Sequence, residues 1–392
     1  MSGRGLPEVR VTKKGLERLS SGHPWIYRTD LAKPPNLPQG GAVRILDLRG
    51  HFAALAHYSG VSKIALRLLS LHDQPIDRAF WAGRLAQAIA LRERIFPEAD
   101  ARRVVHGESD LLPGLIADQY GKAVSIQTLT PAMDQLKGLW AELLSEQLGA
   151  TAIVERNDGR SRALEGLPVV QGMLKGSPPG LVEYHEGTVR LLADPLEGQK
   201  TGAFLDQREN HLAAVSYAQG DCLDCFSYHG AFALQLARHA KAVTAVEMSA
   251  PAAARIVDAA ARNGLTNIAV RESNVFDLLR DEIDRGTRYD TVVLDPPGFA
   301  KTKDRLESAL RGYKEINLRA LQLLRPGGTL ITCSCSYYVS AEAFEEMLRG
   351  AASDARRPVQ IVERRGASRD HPSLLGAPET RYLKCLIARV LE

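Results

Sequence analysis

The chain has 392 residues, 45% hydrophobic and 24% charged, with a formal net charge of only +4. That length asks for two or three domains, and the composition is that of an ordinary globular protein. No apolar run reaches the ~18–20 residues of a membrane span, and the polar start from Met1 to Arg10 lacks an apolar signal core, so a membrane partner and secretory targeting are both excluded from the expectation and a cytoplasmic location is expected.

Charge is unevenly spread. Residues 1–33 carry seven basic groups (Arg4, Arg10, Lys13, Lys14, Arg18, Arg28, Lys33) against three acidic ones (Glu8, Glu17, Asp30), which accounts for the whole net charge. A basic module ahead of a neutral body suits a polyanionic partner, although a solvated basic face explains it equally well. Within residues 1–72 short apolar runs at Ala42–Leu48 and Phe52–Tyr58 are divided by the turn pairs Gly40-Gly41, Arg49-Gly50 and Ser59-Gly60, which predicts a small β-rich module.

Residues 73–178 read as a mixed α+β middle domain. Helical spacing covers 77–95, a strand is expected at Ala123–Leu129 and a helix at Met133–Leu148. The segment from Lys175 to Gly180, with Gly176, Pro178 and Pro179, is the clearest linker. From 181 to 392 strand-like runs at 222–226, 242–247, 268–271, 291–295 and 329–333 alternate with helical stretches at 231–240, 250–263, 274–284 and 313–324. That alternation predicts a doubly wound, Rossmann-like parallel sheet, with late strands at 359–363 and 381–390 closing it antiparallel.

Five cysteines have spacings that fit neither a zinc site nor a disulfide framework, so no metal is expected. Cys222 and Cys225 form a C-x-x-C, but on a strand residues three apart face opposite ways, and both read as apolar fillers.

Ligands of such a sheet bind beyond the carboxyl ends of its strands. The first strand runs through Phe226 into Ser227, Tyr228, His229 and Gly230. With Gly230 alone, the G-x-G-x-x-G fingerprint of a pyrophosphate cradle is missing, which disfavours a nicotinamide cofactor and leaves room for a methionine sulfonium. Glu247, ending the second strand 23 residues after Asp224, can accept both hydroxyls of a ribose. Asn274 and Val275 follow the third strand, where an Asn can bond an adenine amine. The fourth strand ends in Asp295-Pro296-Pro297-Gly298-Phe299. Two prolines stiffen that turn and hold Asp295 and its carbonyls toward a planar base. The fifth ends in Cys333-Ser334-Cys335-Ser336, facing the same cleft. A thiolate added across C6 of a cytosine would make C5 nucleophilic enough to take an activated methyl. Cys333 and Cys335 share a face of an extended segment; Cys333, one pleat deeper, is expected to pack in the sheet and Cys335 to stand at its mouth.

These strings together resemble the bacterial 23S ribosomal RNA cytosine-5 methyltransferases that carry an N-terminal PUA domain. The resemblance spans nearly the whole length: Gly22-His23-Pro24-Trp25-Ile26 at the PUA-type start; Gly107-Glu108-Ser109-Asp110, Leu112-Pro113-Gly114-Leu115 and Glu155-Arg156-Asn157-Asp158 in the middle; Gly198-Gln199-Lys200-Thr201-Gly202 and Phe204-Leu205-Asp206-Gln207-Arg208 before the sheet; then Cys225-Phe226-Ser227-Tyr228, the Asp295 turn and Ser334-Cys335-Ser336. It implies S-adenosylmethionine as cofactor, 23S ribosomal RNA as partner, a PUA-like RNA-binding domain over 1–72 and a methyltransferase domain over 181–392, and it is compatible with a homodimer. It also implies Cys335 as nucleophile, Asp295 as the group that orients and protonates the base at N3, and Gln207, Arg208, Phe226, Ser227, Tyr228, Gly230, Glu247, Asn274, Val275 and Asp295 around the cofactor. This chain departs from the family in having His229-Gly230-Ala231 where T-G-G is common. It also has Gly298 where many RNA cytosine-5 enzymes place a second cysteine, so Cys335 acts alone. Two other readings compete. An exocyclic-amine methyltransferase also uses a D-P-P-[FY] turn but has no use for a thiol, and a silent RNA-binding assembly factor needs neither Asp295 nor Cys335.

Overall fold

The structure is a computed structural model that describes residues 5–300 and 302–392; Arg4 of the basic segment lies outside them. The chain divides into two compact units. The first comprises the described residues up to Tyr184 with Leu192–Leu205 and Arg369–Thr380; the second comprises His185–Leu191, Asp206–Ser368 and Arg381–Glu392. Among the described residues no helix is long and apolar enough to cross a membrane.

The first unit opens with β1 (Glu8–Arg10), α1 (Lys13–Ser20), β2 (Trp25–Tyr27), β3 (Ala42–Leu46), β4 (Phe52–Tyr58) and β5 (Ile64–Ser70), which form a five-stranded sheet in the order β1-β3-β4-β5-β2. Thr12 starts α1 by accepting the Gly15 N–H, as an N-cap should. Two of the seven basic groups are absorbed here: Arg18 sits 2.8 Å from the buried Asp30, and Arg28 donates to the Ser59 and Ser62 carbonyls. Arg10, Lys13, Lys14 and Lys33 stay exposed.

Next come α2 (Arg78–Ile95), β6 (Ala101–His106), β7 (Leu115–Tyr120), β8 (Ala123–Thr128), α3 (Pro131–Gln135), α4 (Lys137–Leu148), β9 (Ala152–Asn157) and β10 (Val170–Lys175), with a second sheet in the order β10-β9-β8-β7-β6. The single helix expected at 133–148 is two. Thr130 caps α3 with Pro131 at its first position, and a break at Leu136 starts α4 afresh. Leu55 and Leu69 of the first sheet and Val104, Leu115, Val124 and Ile153 of the second line one core with Trp81 and Trp140.

A hairpin follows, β11 (Val182–Glu186) and β12 (Val189–Ala193), and then α5 (Arg208–Ala214). The second unit is built on β13 (Asp221–Cys225), α6 (Ala231–Ala237), β14 (Ala242–Glu247), α7 (Ala250–Arg262), β15 (Ile268–Glu272), α8 (Val275–Asp284), β16 (Tyr289–Leu294), α9 (Leu306–Leu323), β17 (Leu324–Ser334), α10 (Ala341–Ala355), β18 (Val359–Arg365) and β19 (Lys384–Val390). Its seven strands run β15-β14-β13-β16-β17-β19-β18. The pairings among the first five are parallel, and β19 pairs antiparallel with both β17 and β18. This is the expected doubly wound sheet with its antiparallel closure. Cys222 and Cys225 pack into different core clusters, one on each face, as their strand spacing requires.

Candidate active site

The candidate site lies in the second unit, at the carboxyl ends of β13 to β17 and beside α5. The turn after β13 is tightly wound. Phe226, Tyr228 and Gly230 all have positive φ (64°, 50° and 81°), and a Cβ at Gly230 would lie 2.9 Å from Ile256. Two of these are bulky side chains in a region L-residues avoid, a strain that persists only where the surroundings over-determine it. Ser227 is one of the clamps. Its hydroxyl donates to the Asp224 carbonyl at 2.8 Å and accepts the Val246 N–H at 3.1 Å, tying the turn to β14.

Glu247 holds the turn from the other side. One carboxylate oxygen accepts the Tyr228 N–H at 2.9 Å and the other accepts the Ser249 N–H at 2.8 Å. Each oxygen keeps a lone pair, so the carboxylate is both fixed and able to accept more. Asn274 caps α8 by accepting the Phe276 N–H at 2.9 Å, while Val275 packs its side chain into the core and has only backbone to offer. Phe226 leans on the same core. Tyr228 stacks on His229 with ring centroids 3.5 Å apart.

Beneath the turn Asp224 is buried. One of its oxygens accepts the Ala233 N–H at 3.1 Å and the other has no hydrogen-bond partner. Burial, with the nearby charge of Asp295, pushes its carboxyl up to about 7. His211 of α5 lies in the same cluster, 2.7 Å from the Glu186 carboxylate. Burial opposes charge on its ring, but Glu186 outweighs it and holds the imidazole above its ordinary pKa. Gln207 accepts from Asn210 at 2.6 Å and leaves its own amide nitrogen buried without a partner. Arg208 is buried at the start of α5. A buried acceptor and a buried donor left open beside a strained turn form a site suited to a polar ligand, and the mixture of an unmatched carboxyl, a carboxylate at the end of β14 and helix starts fits the cationic, ribose-bearing cofactor expected from the sequence.

The two residues expected to carry the chemistry, Asp295 and Cys335, meet across the ends of β16 and β17. Asp295 follows β16, with its N–H directed at the Cys225 carbonyl. A Cβ built on Gly298 would lie 3.6 Å from both the Cys335 sulfur and the Ser336 hydroxyl, so the diproline turn and the end of β17 are in contact. The Ser336 hydroxyl accepts the Ala300 N–H at 3.1 Å and bonds the Tyr313 hydroxyl at 2.9 Å, which locks the turn to α9. Cys335 is half-buried at this junction, whereas Cys333 is wholly buried opposite Cys385 on β19. The Cys385 thiol, with burial, holds the Cys333 thiol well above its ordinary pKa, which makes Cys333 a packing residue.

The sequence reading did not single out Asp224, His211 with Glu186, or Lys384 as part of this site. Asp224 and Lys384 carried one visible signal, a charge directly beside the apolar residues of a strand.

A family model for a PUA-like domain matches residues 9–71, and one for S-adenosylmethionine-dependent methyltransferases matches residues 102–387. This chain belongs to the PUA-containing S-adenosylmethionine-dependent methyltransferases. The cofactor of this methyltransferase is therefore S-adenosylmethionine. It is 38% identical to the ribosomal RNA large subunit methyltransferase I of Shewanella amazonensis, over 96% of this chain and 98% of that one. It is also 38% identical to the protein of the same name from Vibrio cholerae, over 98% and 100%. A solved candidate methyltransferase complexed with SAH superposes with a TM-score of 0.85 at 19% identity, covering 98% of this methyltransferase and 100% of its own chain, which shows the shared fold.

Proposed function

We propose that this methyltransferase places a methyl on carbon 5 of a cytosine in large-subunit, 23S ribosomal RNA, in the cytoplasm, through a covalent adduct between Cys335 and carbon 6. The observation that carries the reading is the contact of the Asp295-Pro296-Pro297-Gly298 turn with a half-buried cysteine, an arrangement that methylation of an amine has no use for. The RNA assignment draws on relatives named for the large ribosomal subunit. Glu247 would accept the ribose hydroxyls and Asn274 and the Val275 N–H would border the adenine. Gln207, Arg208, Asp224 and the turn from Phe226 through Gly230 would hold the methionine end. Residues 1–72 and 73–178 would capture RNA, and 181–392 would carry the chemistry.

When bound, the cofactor supplies an electrophilic methyl on a sulfonium. Asp295 orients the flipped base and protonates N3, which makes C6 electrophilic. The Cys335 thiolate adds to C6, C5 takes the methyl, C5 gives up its proton to a base, the thiolate leaves, and N3 returns its proton to Asp295 to restore the ring. Large-subunit RNA transcribed with 5-fluorocytidine should trap wild type as an adduct in the presence of cofactor, since fluorine cannot leave as a proton does. Cys333→Ala should trap equally and Cys335→Ala not at all, while still binding cofactor. Full methyl transfer by Cys335→Ala would overturn the thiolate route and leave the amine reading, led by Asp295 and the two prolines.

A further inference from the structure

We infer that Lys384 is a positioning residue of the reaction, a buried ammonium that holds the Cys335 sulfur as a thiolate. The inference rests on the reading of Cys335 as nucleophile. Lys384 opens β19, opposite Ser334 in register, and the residue is largely removed from solvent (8% exposed). A lysine there loses its hydration and needs compensation. Its compensation is only partial. Nζ donates to the Ser336 carbonyl at 2.7 Å and to the Tyr382 carbonyl at 2.8 Å, and among the described residues it has no carboxylate partner. Two neutral acceptors leave the positive charge unmatched and one N–H uncommitted.

The place where that charge is held is specific. The carbonyl it grips belongs to the residue after Cys335, and the register partner of its own residue is the one before. The ammonium therefore brackets the Cys335 backbone from the neighbouring strand. Burial lowers Lys384 to about 8, and the charge of Cys335 is the one interaction that pulls it back up, so cation and thiolate favour one another. The other titratable groups around the pair do not compete for the role. Tyr313 of α9 is bonded to the Ser336 hydroxyl and kept protonated by burial. Tyr382 is bonded to Asp206 at 2.7 Å. Asp295 carries the wrong sign to hold a thiolate.

The chemistry balances simply. The S–H bond of Cys335 breaks, its proton passes to water, and the sulfur keeps the electron pair beside the ammonium. That lone pair then forms the bond to C6. A nearby cation is a recognised way to draw a thiol into the reactive range from its free value near 8.5. Lys384 itself need not touch the base.

The test reads the thiol rather than the product. Alkylation of Cys335 by iodoacetamide, followed peptide by peptide across pH in the full chain, gives the thiolate titration. The other four cysteines are buried and serve as internal controls. Lys384→Met and Lys384→Gln should move the Cys335 midpoint up by at least one pH unit, a roughly tenfold slower alkylation at pH 7. Lys384→Arg, which keeps the charge, should restore most of the rate. Retained cofactor binding shows that each variant is folded, and if Met does not fold, Gln against Arg makes the same comparison. An unchanged midpoint in a folded Met or Gln variant overturns the inference even if 5-fluorocytidine RNA still traps Cys335. Conversely, loss of the nucleophile reading through an active Cys335→Ala would leave the midpoint shift standing, so the two failures are distinct.

Discussion

Buried charge in the first unit is largely met by carboxylates, whereas the second unit, which closes His211 on Glu186, also leaves charges open at its strand ends. In the first, guanidinium groups are closed off by carboxylates. Arg92, fully buried, grips Asp110 through two bonds of 2.5 and 2.8 Å, Arg103 holds Asp118 at 2.6 Å, and Arg67 reaches both Glu165 and Glu108. In the second, at the carboxyl ends of the strands, Asp224 keeps one oxygen without a partner and Lys384 meets only carbonyls. Closed pairs fix a shape and are indifferent to anything outside it. Open charges are costly in the resting protein and become favourable when a ligand or a reacting atom completes them. The five-stranded sheets thus carry closed pairs, and the seven-stranded sheet carries open charges at its strand ends.

The sharpest test of this contrast is Arg92→Met, which strands Asp110 without its cation. Breaking a buried pair costs about 3–5 kcal/mol. Urea unfolding followed by tryptophan fluorescence should register it cleanly, because Trp25, Trp81 and Trp140 all lie in the first unit. A loss under about 1 kcal/mol would mean that the closed pairs do not support the frame.

A smaller effect is expected at Asp224. Its folded carboxyl titrates near 7, well above an unfolded aspartate. Between about pH 4 and pH 7 the folded chain holds a proton that the unfolded chain has released, so stability of this unit falls as pH rises through that window and levels off above it. Asp224→Asn should abolish the slope and raise stability at about pH 7.5 in the cofactor-free protein, read as hydrogen exchange of β13 in urea. A slope that survives the substitution belongs to another group.

The smallest effect concerns the basic segment. With Arg18 and Arg28 engaged inside the first unit, the exposed Lys13, Lys14 and Lys33 remain, beside the exposed Arg10, to neutralise phosphates. Changing all three to Gln should lower the slope of log affinity for RNA against log salt by about 0.7–0.9 for each phosphate no longer neutralised, with cofactor affinity unchanged. An identical slope would remove these lysines from RNA capture.

What the sequence disclosed follows the range of the interactions involved. Apolar runs located β13 to β16 and the helices between them to within a few residues, because a parallel sheet buried on both faces writes itself as continuous apolar stretches, whereas α9 and β17 begin seven and five residues before the expected starts at 313 and 329. The three-residue strands β1 and β2 and the short α1 left no such mark. At the site, Cys335 and Asp295 were legible as strand ends with unusual chemistry. Ser227 and Asn274 were legible as polar residues, but their bonds to the Val246 and Phe276 amides show only in the folded turn, where local backbone competes for every short polar side chain. Lys384, and His211 with Glu186, depend on partners 25 to 48 residues away, and no spacing rule encodes those.

The position of β19 carries a last consequence, in the order of assembly. It pairs on one side with β17 and on the other with β18, so it is an interior strand delivered late in the chain, and Ser334 meets Lys384 only after the intervening 49 residues have closed into a loop. Pairings of such long sequence separation form slowly. Lys384 reaches the Ser336 carbonyl, and so the Cys335 backbone, only once β19 has docked. Under the proposed role of Lys384, the closure that completes the sheet is also the one that completes the site.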